Sequence, residues 1–264
     1  MKPTLSNGTK CAIASATLAL SLLAPMTAAI GQVRFVAPPV RAPGNREAGA
    51  SRSNTCVPFA EGQVLTALIP ETNIGLTTQP FPTLFAHVPA NNAEGAELRL
   101  YEEESGEEVY ASQIALPAAA AASDYHNRSA LLRLAAPTTS PVTLEPGKDY
   151  IWALMLVCNA EDRADDITIA GVVRRVDEVY LSTLPTEVRD RLSNVDADTA
   201  EASLTAYGEA GVWYELLETL AALAREDPNA YQNDWMTLLE QQGLEETTGS
   251  PVVFDDVQPV PLTP

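Results

Sequence analysis

The sequence predicts a mainly β fold: a two-sheet antiparallel β-sandwich followed by a small C-terminal helical hairpin. Three observations predict it. Between Gln63 and Val176, short apolar runs recur with turn residues between them, the pattern of a sandwich. The stretch Leu144-Glu-Pro-Gly-Lys-Asp-Tyr-Ile-Trp-Ala-Leu-Met-Leu-Val-Cys158 places a Pro-Gly turn before a strand that is apolar on both faces, expected at the centre of a sheet. After Val176 the apolar period lengthens to that of helices.

The chain opens with a signal-peptide layout. Lys2 and Lys10 precede an apolar run from Cys11 to Ala24, and small residues follow at Thr27, Ala28 and Ala29. Residues 1–29 are therefore expected to be removed after Ala29, giving a periplasmic or extracellular protein. No later stretch is long and apolar enough to span a bilayer. Removing residues 1–29 takes away Lys2 and Lys10 and no acid, so the formal charge moves from −19 to −21. Such acidity repels nucleic acid and anionic membrane surfaces.

Residues 30–55 read as an extended basic arm. Pro38, Pro39 and Pro43 forbid a helix, and Arg34, Arg41, Arg46 and Arg52 against Glu47 give the arm a charge of +3. It is expected to lie along the acidic body and to be fixed by Cys56. With Cys11 removed, Cys56 and Cys158 are the only pair left, and an oxidising compartment would join them. A closed loop of about 100 residues corresponds to an upper figure of roughly 4.7 kcal/mol.

Residues 56–176 are assigned to the sandwich. Val64–Ile69, Thr83–Val88, Glu97–Glu102, Val109–Leu116, Ser129–Leu134, Tyr150–Cys158 and Ile167–Val176 are its expected strands, with Thr72–Thr77 a turn or short edge piece. In Glu97–Glu102, Leu98 and Leu100 face one way and Glu97, Arg99 and Tyr101 the other. Ser105-Gly106 turns this strand into the next, a hairpin by pattern. Pro117–Arg128 reads as an exposed loop. Residues 177–245 are helical and expected to pack on the sandwich. Pro185 opens a short helix to Leu192, and Asp198 with Glu201 forms a capping box. Trp213, Leu216, Leu217, Leu220, Leu223 and Ala224 line one face of a helix closed by Pro228, and Asp234–Gln241 follows. Residues 246–264, rich in Pro, Thr and acids, read as a disordered tail.

Leu144–Tyr150 resembles the E–F corner of immunoglobulin and fibronectin-type sandwiches, where a tyrosine hydroxyl bonds back to the main chain. Tyr207, Gly211, Trp213, Leu220, Leu223 and Pro228 resemble half of a tetratricopeptide repeat, with Leu216 where a small residue belongs and no second copy. Four strings carry a wider resemblance. They are Phe35–Pro39 with Pro43, Gly44 and Arg46; Thr72–Thr77 with Pro82-Thr83; Cys158–Arg163 through Gly171 to Arg175-Val176; and Gly211–Tyr214 through Leu220-Ala221. Together, over roughly residues 34–245, the chain resembles the cyanobacterial family of exported proteins carrying domain of unknown function 928. The resemblance implies export and assigns no catalytic residue.

The residue inventory argues against most enzymes. His87 and His126 are the only histidines, one inside a strand and one in a loop. Nucleophile elbows, zinc-binding helices and phosphate-cradling loops are lacking in the sequence, so no cofactor is expected. Glu102, Glu103, Glu104, Glu107 and Glu108 read as a solvated turn. Asn159, Glu161, Asp162, Asp165 and Asp166 are hard oxygen ligands close in sequence and are weak calcium candidates, without EF-hand spacing and with Arg163 as an internal counter-charge. The expectation is a non-enzymatic exported interaction or envelope-associated module whose partner is a protein or another envelope component. The alternatives are a carbohydrate-active or other hydrolase using acidic residues, and a calcium-binding structural envelope protein. Hydrolysis predicts two carboxylates converging in a concave site, whereas binding predicts an exposed apolar patch.

Overall fold

Apolar alternation builds two sheets. In the computed structural model, residues 33–48, 56–57, 64–116, 130–135, 142–195, 199–244, 254–257 and 260–261 are described. The contacts divide the chain into Met1–Gly31 and Gln32–Pro264, and the described residues belong to the second unit. Strands β1 (Thr66–Ala67), β3 (Leu84–Val88), β6 (Ala130–Leu134) and β9 (Phe254–Val257) form one sheet, in the order β1-β3-β6-β9. The other contains β2 (Ile74–Thr77), β4 (Gly95–Glu102), β5 (Glu108–Ile114), β7 (Asp149–Val157), β8 (Ile167–Arg175) and β10 (Val260–Pro261). Its order is β10-β5-β4-β7-β8-β2, which puts β7 inside the sheet as its composition predicts.

Only one face of β7 is covered. Tyr150, Trp152, Leu154 and Leu156 are buried, while Ile151, Ala153 and Met155 are half-buried on the outer face. The Tyr150 hydroxyl accepts the Glu145 N–H at 3.2 Å, the back-bond that the corner pattern calls for.

Two departures concern strand direction and the chain end. β2 runs parallel to β8 and β9 parallel to β6, so the sheets are mixed and not wholly antiparallel. Both parallel pairs join segments remote in sequence, which no hairpin can bring side by side. β9 and β10 fall in the stretch expected as a disordered tail, and for those six residues the expectation is corrected. They extend β6 and β5, whose open edges offer unpaired N–H and C=O groups.

The C-terminal region holds five described helices where a hairpin is expected: α1 (Glu178–Thr183), α2 (Thr186–Ser193), α3 (Ala200–Glu209), α4 (Trp213–Glu226) and α5 (Pro228–Glu240). Local chemistry explains the breaks. The Asp177 carboxylate accepts the Tyr180 N–H to start α1, and Pro185 separates α1 from α2. Thr199 caps α3 by accepting the Ala202 N–H, while Asp198 lies outside the described residues. Asp227 accepts from Asn229 and Ala230, starting α5 at Pro228 instead of Asp234.

Helix α4 is pressed onto β2. Trp213 Nε1 donates to the Leu68 carbonyl at 2.9 Å, and the Tyr214 hydroxyl accepts from Trp152 Nε1 at 3.0 Å. Gly75 makes the approach possible, because a Cβ there would stand 2.6 Å from the Tyr214 ring.

The arm is part of the same core. Val33 and Phe35 are buried, and Phe35 meets Trp213 edge-on at 5.0 Å. Val36 N–H bonds to the Gly208 carbonyl at 2.9 Å, and a Cβ on Gly208 would lie 2.2 Å from the Arg34 carbonyl oxygen. Farther on, Ala42 bonds to Thr72, Asn45 accepts from Ala170, and Arg46 accepts from Ala67. The arm does lie along the body, but main-chain bonds and apolar insertion hold it more than charge does. Even Arg46 spends its guanidinium on the Gln242 and Gly243 carbonyls, at 2.6 and 3.1 Å.

Candidate binding groove beside the disulfide

Cys56 and Cys158 form a disulfide across 102 residues, joining the arm to the end of β7. It ties arm to sheet, as their positions predict. The segment after Cys158 folds on its own side chains. Asn159 Oδ1 accepts the Glu161 and Asp162 N–H groups at 2.8 and 3.4 Å. Asp162 caps the 3-10 turn Arg163–Asp165 by accepting from Ala164, and Asp166 Oδ1 accepts the Cys158 N–H at 3.0 Å. Asp166 also pairs with Arg163, and Glu161 lies exposed. Among the described residues, no group of three His, Cys, Asp or Glu side chains is placed to hold a metal ion.

This loop closes one wall of a groove of about 560 Å³ at the end of the six-stranded sheet. Glu94, Glu97, Gln113, Val157, Arg163 and Val260 contribute to its lining. Glu94 is fixed by its Oε2, which accepts the Ala160 N–H at 3.1 Å. Glu97 projects from the outer face of β4, where the alternation of that strand puts it, and is only 7% exposed. Arg163 Nη1 reaches one of its oxygens at 3.1 Å, and Arg99 reaches the other at 2.9 Å. Arg99 also holds Glu108 at 2.8 Å. A ladder of alternating charge thus runs Asp166–Arg163–Glu97–Arg99–Glu108.

Burial pushes the Glu97 carboxyl up, but hydrogen bonds from Arg163 and Arg99 and their charges outweigh it, leaving the group below the ordinary carboxylate range. The Asp166 and Glu97 hydrogen bonds raise Arg163 in turn. Glu97 is therefore paired through both oxygens, Glu94 keeps only the Ala160 N–H, and the Val260 rim stays 62% exposed. Gln113, Ala115 and Ala160 are exposed around the same opening.

Of the oxygen-bearing side chains singled out as calcium candidates, the structure gives Asn159, Asp162 and Asp166 turn-forming tasks. The glutamates of the β4–β5 hairpin surround its turn at Gly106, whose φ is +70°. His87 is buried in β3, its Nδ1 3.0 Å from the Val64 carbonyl, and burial lowers its pKa. His126 lies outside the described residues.

Two carboxylates escape the sequence reading. Glu97 appears there only as an outward strand position. Glu215, in the first turn of α4, is 7% exposed at the helix–sheet seam. Its Oε1 accepts from the Thr77 hydroxyl (2.7 Å), the Thr78 N–H (2.7 Å) and hydroxyl (2.9 Å), and the Gln79 N–H (3.0 Å). Its buried Oε2 has no partner among the described residues. The one available signal is a glutamate among the apolar residues that open α4, the position where helix starts favour acids.

The family model described as Domain of Unknown Function (DUF928) matches residues 47–252, more than half of the chain. The match starts within the arm and extends past the helices. No curated protein matches, and no solved structure matches. No described helix is long and apolar enough to cross a membrane. On the extent of that match, the chain belongs to the DUF928 family.

Proposed function

We propose that this DUF928 chain is an exported, non-enzymatic binding module that presents the groove beside its disulfide to a protein or another envelope component. One observation carries the reading: the groove's buried Glu97 is paired through both oxygens with Arg163 and Arg99, while Val260 is 62% exposed on its rim. Paired charge next to an exposed apolar side chain suits complementary docking. Glu94 and Glu97 do line one concave site, the arrangement that hydrolysis would need. Glu97, however, is paired through both oxygens and held ionised, and Glu94 is engaged by the Ala160 N–H. A general acid needs a raised pKa and a proton to give. Export is supported by the layout of residues 1–29 and by a disulfide in a two-cysteine body.

The test has two stages. N-terminal sequencing of protein recovered from the cell envelope or medium should begin at Ile30; a start at Met1 with free Cys56 and Cys158 thiols would overturn export. Capture from the native envelope should then give a discrete partner with the wild-type chain, and Val260→Asp should weaken it at least about tenfold. A partner retained equally by Val260→Asp, or turnover of envelope polysaccharide by the purified chain, would overturn the binding reading of the groove.

A further inference from the structure

A second cavity, of about 460 Å³, lies on the other side of the six-stranded sheet's corner, where the ends of β2 and β8 meet α1 and α2. Its volume falls in the range of about 300–1,000 Å³ typical of small-molecule sites. Its charges are arranged unlike those of the groove. Arg175, at the end of β8, gives Nη1 to the Leu144 carbonyl at 3.1 Å and has no carboxylate partner among the described residues. Arg189, on α2, makes no ion pair among the described residues either. In contrast, Arg99, Arg133, Arg163, Arg174 and Arg191 each face a carboxylate. In a chain of net charge −19, two half-buried guanidinium groups without such a partner, both lining one cavity, form an uncommitted anion-recognition pair.

The same cavity carries the opposite charge. Asp177 spends one carboxylate oxygen on the Tyr180 N–H, at 2.8 Å, and Glu178 lies exposed at the start of α1. Leu192 and Val176 are buried, and half-buried Leu181 adds a third apolar group to the wall. Two cations, two anions and an apolar wall match a ligand that bears both charges and an apolar body.

We propose that this cavity binds the zwitterion of an apolar α-amino acid. The ligand's carboxylate is received by Arg175 and Arg189, its ammonium by Asp177 and Glu178, and its side chain rests on Leu181 and Leu192. A doubly charged anion such as phosphate fits worse, because it would meet both carboxylates at once.

Calorimetry on the full chain tests this with leucine, leucine amide, N-acetyl-leucine and inorganic phosphate as probes. Leucine should give saturable heat, and the amide and the N-acetyl form, each lacking one charge, should bind at least about tenfold more weakly. Arg189→Gln should weaken leucine by a similar factor while leaving the thermal midpoint unchanged, since this guanidinium makes no ion pair to lose. No heat from leucine up to about 10 mM would overturn the proposal. So would N-acetyl-leucine or phosphate binding as tightly as leucine, which would mark a plain anion site. Wild-type affinity in Arg189→Gln would overturn it as well. None of these outcomes depends on the groove at the opposite end of the sheet.

Discussion

Glu97 beside the groove and Glu215 at the helix–sheet seam are each 7% exposed, yet their surroundings send them in opposite directions. Glu97 is flanked by two guanidinium groups that outweigh its desolvation and hold it ionised. Glu215 receives four neutral donors on one oxygen and, among the described residues, none on the other, and burial pushes its carboxyl up. Equal burial therefore does not mean equal chemistry; the charge of the neighbours decides. The regions differ in the same way. The seam is built by packing, with Trp213, Tyr214 and Trp152 interlocked between α4 and the sheets. The groove is built by ties: one disulfide and a ladder of ion pairs on the outer face of β4.

The sharpest way to break this comparison is to empty the seam. Trp213 is fully buried, donates to Leu68 and supports Phe35 of the arm. Trp213→Ala should cost about 3–5 kcal/mol, from lost transfer energy and the residual cavity. It should also loosen the arm, seen as faster amide exchange at Val36. Denaturant unfolding measures the first effect. A loss comparable to that of a surface substitution would mean that packing does not dominate the seam.

The groove should answer to its covalent tie. Replacing Cys56 and Cys158 together by serine frees a link across 102 residues and should cost roughly 2–4 kcal/mol. Because the seam keeps its contacts, near-ultraviolet circular dichroism from Trp152 and Trp213 should survive at low denaturant. If that signal vanishes together with the disulfide, the two regions are one cooperative unit and the contrast fails.

How much of this was legible in the sequence follows the range of each interaction. The apolar run Tyr150–Leu156 gave β7 and its place inside the sheet, but not which of its two apolar faces the rest of the chain covers. The apolar stripe of Trp213–Ala224 gave α4, because a helix face is set by its own period. Cys56 and Cys158 could be paired by elimination. The groove could not be read, since Arg163 reaches Glu97 from 66 residues away and nothing local to either marks the pair. The C-terminal strands were hidden similarly: their composition is that of a tail, and only the open edges of β5 and β6 give them partners. Prolines correctly excluded a helix from the arm, but composition could not show that Phe35 fills a gap beside Trp213.

The smallest expected effect is the most discriminating. Glu215, raised above its ordinary 4.5, lends stability that is full below that value and is lost as pH rises through its folded value. Glu97, lowered from the same 4.5, lends stability present above it and lost as pH falls through its depressed value. Unfolding free energies measured from about pH 3 to pH 8 should therefore separate the two glutamines. Relative to wild type, Glu215→Gln should improve with rising pH, because it removes a charge that burial penalises. Glu97→Gln should be about 1–2 kcal/mol less stable near neutrality, and the deficit should close in acid, where the wild-type carboxylate is also lost. Arg99 and Arg163 keep Glu108 and Asp166 as partners in that variant, which is why the deficit is modest. Parallel pH profiles would show that neighbouring charge does not set the two carboxylates apart. Opposed profiles would establish that one fold lowers the pKa of a buried glutamate beside its groove and raises that of another in its core.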